Sequence, residues 1–144
     1  MKENSPINRD SLISELKAGH ELILGLLPQV QAVAHNYILA KPLLRQLSDV
    51  LLNHFEKQNR YLVSFLQEIM ASHDENSALA HFLFQDLKEI KIKVWFFIDE
   101  HPSDMGDIYP KNFLADFKDL FLSLVARIKT EQEQLMPLIE KRFS

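Results

Sequence analysis

Apolar residues recur at steps of three and four along four separate segments of this 144-residue chain. In the first segment, for example, Leu16, Ile23, Leu27 and Val30 fall on one face of a helix. This spacing predicts helices with one buried face, whereas a strand would show apolar residues at every second position. The chain has only three glycines, and no strand pattern competes with this reading. We therefore predict an all-α fold, an up-down-up-down antiparallel four-helix bundle.

Prolines and short polar stretches set the bounds of the predicted helices. The helices are expected at Asp10–Ala34, Pro42–Ala71, Ser77–Ile98 and from Pro110 onward. Pro42 and Pro110 suit the first turn of a helix, where the N–H that proline lacks would have no helical partner. Asn76 or Ser77 is expected to cap the third helix, and Pro137 is expected to stop or bend the fourth.

Composition indicates a single domain over residues 1–144, of which residues 1–9 are expected to form a flexible N-terminus. Hydrophobic residues make up 47% of the chain and charged residues 25%, a balance typical of a globular protein. The absence of cysteine excludes disulfides and thiolate metal sites. The net charge of −4 argues against a nucleic-acid partner. Because we find neither a leader peptide nor a membrane-spanning stretch, we expect a cytoplasmic protein that does not bind membranes.

One helical segment is used twice in the chain. His54–Glu68 is repeated in altered form as Arg127–Lys141. In each copy the first residue and the fifth lie one turn apart on the same helical face, which is the geometry of an H-x-x-x-E pair of metal ligands. The first copy has His54 but Gln58 in place of Glu, and the second has Glu131 but Arg127 in place of His. Each copy therefore keeps half of a ligand pair.

The predicted bundle brings these polar residues to one depth. In an antiparallel bundle, two residues at equal distances along the chain from the loop that joins their helices lie at the same depth. By this rule the level residues on core-facing stripes are His20, His54, Gln58 and Glu131, with Arg127 beside them. Burying an unpaired polar group costs about 1–3 kcal/mol, so a polar cluster in the core needs a compensating interaction. Metal binding is one such interaction.

Three motifs resemble helices one, two and four of the hemerythrin-like (HHE) family. They are Leu16-Lys-Ala-Gly-His20, Leu51-Leu-Asn-His54 and Ile128-Lys-Thr-Glu131, and the resemblance extends from Ser11 to Phe143. It implies a four-helix bundle that holds a non-haem di-iron centre and that binds or senses oxygen, nitric oxide or iron.

The same resemblance assigns the residues of the implied metal site. His20, His54 and Glu131 match ligand positions, whereas Gln58 stands where a bridging Glu belongs and Arg127 where a His belongs. On the third helix, apolar residues replace the histidines of the family, namely Leu87, Ile90 and Val94. The neutral side chain of Gln58 is a poor bridging ligand between two metal ions. The guanidinium of Arg127 carries a permanent charge and cannot coordinate a metal.

These departures favour a lost di-iron site. Our first hypothesis is a regulatory or protein-interaction module that has no cofactor and is not an enzyme. In that case Arg127 pairs with Glu131 one turn away. The alternative is a functional metalloprotein that binds non-haem iron, either as a di-iron centre or as one metal held by His20, His54 and Glu131, and that acts as a sensor or store.

The third helix points to a protein partner. It is apolar on more than one side, so we expect either a homodimer through Trp95 and Phe96, with Leu122 and Val125 as further candidates, or cover by the loop 99–109. Residues from 85 to 99 and the His-Phe pair in the second helix also resemble anti-sigma regulators of the Rsd/AlgQ type, which are metal-free helical bundles. A transcription regulator of that kind is a further alternative.

The remaining histidines have ordinary interpretations. His35, His73, His81 and His101 fall in turns or near the ends of the predicted helices. We therefore expect them to be solvated or to cap helices.

Overall fold

The structure is a computed structural model that describes residues 9–101 and 112–143, with the side chains in these ranges except at 9, 10, 57–59 and 143. Its helices are α1 (Arg9–Val33), α2 (Tyr37–Ser72), α3 (Ser77–Glu100), α4 (Phe113–Thr130) and α5 (Met136–Phe143), the last two joined by a π-helical turn, Glu131–Leu135. No strand occurs in the described ranges, which confirms the all-α prediction. None of the described helices has the length and apolar character to cross a membrane.

Neighbouring helices along the chain pack against each other. α1 contacts α2, α2 contacts α3 and α3 contacts α4, while further contacts of α1 with α4 and α5 close the ring. The buried apolar residues of this arrangement form two clusters. One contains Leu27, Phe55 and Phe117, and the other contains Leu12, Leu66 and Leu135. Buried His20 and Glu131 lie along the chain between residues of the first cluster and residues of the second.

The second helix begins earlier than predicted. The Asn36 side chain accepts a hydrogen bond from the backbone N–H of Leu39 at 3.3 Å, so α2 starts at Tyr37. Pro42 lies inside the helix, and the prediction that it opens α2 is wrong. The Asn36 cap satisfies a free N–H of the first turn, and this lets the helix start one turn before the proline.

The turn before α3 is held by an aspartate. Asn76 occupies the predicted cap position, but its side chain makes no capping hydrogen bond. Instead, the Asp74 carboxylate accepts the backbone N–H of Asn76 at 2.8 Å, and the hydroxyl of Ser77 donates to the Met70 carbonyl. The predicted start of the fourth helix at Pro110, and most of the predicted covering loop, lie outside the described residues.

The last helical segment continues through Pro137. The ring of a proline within a helix clashes with the carbonyl four residues earlier, which here is that of Glu133. The wider π-helical turn contains Glu133 and ends just before the proline, and α5 then continues to Phe143. Such turns are frequent at functional sites. Here the turn begins at Glu131, the carboxylate of the predicted site.

Candidate metal centre

Three predicted ligand residues converge between α1, α2 and the π-helical turn. Nε2 of His20 is hydrogen-bonded to Oε1 of Glu131, and Nε2 of His54 lies 3.8 Å from the same oxygen. All three side chains are buried, and Glu131 is completely inaccessible. One potential ligand atom from each residue lies within 4.8 Å of the others. Of the residues that the sequence placed at one depth, the structure brings these three together.

Arg127 occupies the other side of the Glu131 carboxylate. Its Nε donates to Oε2 of Glu131 at 2.6 Å, and its Nη1 donates to Oδ2 of Asp86 at 2.7 Å. The arginine is only 4% exposed. Both oxygens of Glu131 are therefore engaged, one by a histidine and one by a guanidinium. The pairing of Arg127 with Glu131 is the one predicted from their spacing.

Asp86 was missed by the sequence analysis. It lies on α3 at the edge of the core, and its side chain is about one-third exposed. It is therefore not part of the apolar stripe of α3 that the sequence places at the level of the site. Its position one turn before core-facing Ile90 was the available signal. The long arginine side chain crosses from α4 to reach it, and this contact supplies a second carboxylate for the buried guanidinium.

The Glu131 carboxyl is held in its ionised form. Burial alone would raise its pKa, but the hydrogen bond with His20, the nearby imidazole of His54 and the charge of Arg127 outweigh that effect. The pKa therefore lies far below the ordinary value for a glutamate.

Two features of the described residues do not fit a di-iron centre. Arg127 brings a permanent cation to within 3 Å of the carboxylate that the metals would need. A metal-binding histidine normally donates its second ring N–H to an oxygen, yet Nδ1 of buried His20 has no hydrogen-bond partner in the described part of the chain. Nη2 of Arg127 likewise has none there. Gln58 lies on α2, and its side chain is outside the described residues.

Gly19 allows His54 to reach the cluster. A Cβ atom built on Gly19 would lie 2.2 Å from Nδ1 and 2.8 Å from Cε1 of His54. The imidazole ring therefore packs directly against the backbone of α1, where any side chain would displace it. The role of Gly19 could not be predicted from the sequence, because a close approach between two helices is visible only in three dimensions.

His101 occupies the C-cap position of α3, one of the two roles expected for it, but its side chain is not solvated. His101 is buried against the rings of Phe97 and Phe113, and its Nε2 is 2.7 Å from Oδ2 of Asp116. It follows α3 directly, and the aromatic residues of α3 and α4 enclose it. The remaining histidines, His35, His73 and His81, are exposed as expected.

The depressed pKa of Glu131 predicts a pH dependence of stability. The ionised carboxylate stabilises the fold above the unfolded-state pKa near 4.5, and this contribution is lost as the pH falls below that value. We expect the free energy of unfolding to fall more steeply between about pH 5 and pH 3 in the wild type than in Glu131→Gln. Urea unfolding across this range measures both slopes. The pKa of Asp74 is also lowered, by the backbone N–H of Asn76, but Asp74 is present in both proteins. Equal slopes would show that Glu131 does not control acid unfolding.

Comparison with known proteins supports one family. Neither a curated protein nor a solved structure shows significant similarity to the chain. The family model described as the hemerythrin HHE cation binding domain matches residues 11–139, which include all three predicted ligand residues. This match covers most of the 144 residues. The chain therefore belongs to the hemerythrin HHE cation binding domain family.

Proposed function

We propose that this protein is an up-down-up-down hemerythrin-like bundle in which a buried ion-pair network replaces the di-iron centre. It acts as a regulatory or protein-interaction module and not as an enzyme. The observation that carries this proposal is the buried guanidinium of Arg127, which bonds to Glu131 and to Asp86.

Electrostatics explains why the network competes with metal. Two unit charges 4 Å apart interact by about 4 kcal/mol at an effective dielectric constant of 20, and a divalent ion doubles that repulsion from the guanidinium. Arginine cannot relieve the repulsion by losing its proton. A metal at Glu131 would also have to displace two hydrogen bonds to that carboxylate, from His20 and from Arg127.

Exposed apolar side chains support the interaction role. Trp95 is 57% exposed and Phe96 is 65% exposed on α3, with Phe82 and Ile92 also accessible. Large aromatic side chains are costly to leave in water and are enriched at protein interfaces.

Metal content tests the proposal. We expect wild-type protein, expressed with added iron, to contain far less than one iron per chain by elemental analysis. Arg127→His removes the cation and supplies an imidazole, so we expect its metal content to rise several-fold. Lys129→His, which alters an exposed residue of the same helix, is the matched control and is expected to behave like the wild type. Stoichiometric iron with oxo-bridge absorption bands in the wild type would contradict the proposal.

A second candidate is a site for a single divalent metal. The close convergence of His20, His54 and Glu131 favours it, since two histidines and one carboxylate suit Fe(II) or Zn(II). A cleft between α1 and α2 also leads from the surface to His54 and is lined by the carboxylates Glu15 and Asp49. Titration of wild type and His54→Ala with Zn(II) distinguishes the two candidates. One tightly bound ion per wild-type chain, lost in the variant, would favour the metal site.

A further inference from the structure

The outer face of α3 carries a stripe of four residues, Lys88, Ile92, Trp95 and Asp99. They are spaced by four, three and four positions, so they lie in line along the helix, and all four are exposed. The core-facing residues of α3, such as Leu87 and Val94, lie on the opposite side. We call these four residues the α3 stripe.

Two copies of the α3 stripe are complementary in charge when they run antiparallel. It has a cation at one end, an anion at the other and two large apolar side chains between them. In an antiparallel pair of stripes related by a twofold axis, Lys88 lies opposite Asp99 of the second copy, and Ile92 lies opposite Trp95 of the second copy. Each pairing occurs twice, as a twofold interface requires.

The charges also decide the direction of the pair. A parallel arrangement would instead set Lys88 against Lys88 and Asp99 against Asp99. Like charges in contact disfavour that alternative.

We infer that a second copy of this chain docks on the α3 stripe, antiparallel and about a twofold axis between Ile92 and Trp95. The inference goes beyond the proposed function, and it does not depend on whether the core binds metal. The contact spans about three helical turns and is small, so we expect a reversible dimer with a dissociation constant in the micromolar range.

The charge pairs provide a direct test by sedimentation equilibrium. Lys88→Glu and Asp99→Lys each turn two attractive pairs into two repulsive ones, so each is expected to weaken self-association about tenfold. The combined variant Lys88→Glu/Asp99→Lys restores opposite charges and is expected to return within about twofold of the wild type. Lys118→Glu, the same change at an exposed residue of α4, is the matched control and is expected to have no effect.

Trp95 provides an independent readout, because it is the only tryptophan in the chain. Its emission is expected to shift to shorter wavelength as concentration rises through the dissociation constant, and Trp95→Ala is expected to abolish the dimer. A wild-type protein that stays monomeric at high micromolar concentration would overturn the inference. So would a dimer that both single charge variants leave unchanged. Blue-shifted emission from a protein that sediments as a monomer at every concentration would mean that Trp95 is covered within one chain, and would also overturn it.

Discussion

Replacing Arg127 with methionine is expected to lower the free energy of unfolding by about 3–5 kcal/mol. The substitution keeps much of the side-chain volume but removes the guanidinium that neutralises fully buried Glu131. The remaining carboxylate must then either stay charged in an apolar setting or take up a proton, and both cost free energy. Asp86 loses its partner too, but it is partly exposed and can be solvated.

Urea unfolding at neutral pH measures this effect. Lys129→Met is the matched control, since it removes an exposed cation from the same helix and is expected to change stability by less than about 0.5 kcal/mol. The double variant Arg127→Met/Glu131→Leu removes both charges, so we expect it to be more stable than Arg127→Met alone. An Arg127→Met protein as stable as the wild type would show that the guanidinium does not neutralise Glu131.

Two glycines of α1 are expected to respond to alanine with opposite signs. In Gly19→Ala the new Cβ would overlap the His54 ring, which is buried and held between helices, so something must move. We expect a loss of about 1–3 kcal/mol, as for other overpacked sites. In Gly25→Ala the Cβ meets no atom within 4 Å, and alanine favours the helix by up to about 1 kcal/mol.

Thermal and urea unfolding of both alanine variants test this expectation. Gly19→Ala/His54→Ala removes the ring that the new Cβ would strike, so the cost of the alanine at 19 should be much smaller in the His54→Ala background. If Gly19→Ala were as stable as Gly25→Ala, the close approach of His54 to α1 would be wrong.

Much of the fold could be predicted because the spacing of apolar residues within a short segment indicates a helix. The apolar spacing located the described helices to within a few residues, except at the start of α2. There the error came from giving weight to Pro42, when the Asn36 side chain decides where the helix starts. The convergence of His20, His54 and Glu131 was also predictable, because helical spacing and antiparallel packing together fix depth in a bundle.

Contacts between helices could not be predicted in the same way. Asp86 was overlooked since an arginine on another helix is long enough to reach the edge of α3. The burial of the His101 ring could not be predicted because its place at the end of α3 says nothing about the phenylalanines that enclose it. The close fit of His54 against Gly19 likewise depends on the distance between two helix backbones.

The sequence by itself determined the helical class, the family and the residues at the level of the candidate metal site, because each follows from local spacing and residue type. Only the tertiary structure decided how those residues pair. Glu131 shares its two oxygens between His20 and Arg127, and the guanidinium reaches a second carboxylate on α3. How the charged and polar groups pair depends on separations of about 3 Å between side chains from different helices. The free energy of a buried charge changes steeply over such distances.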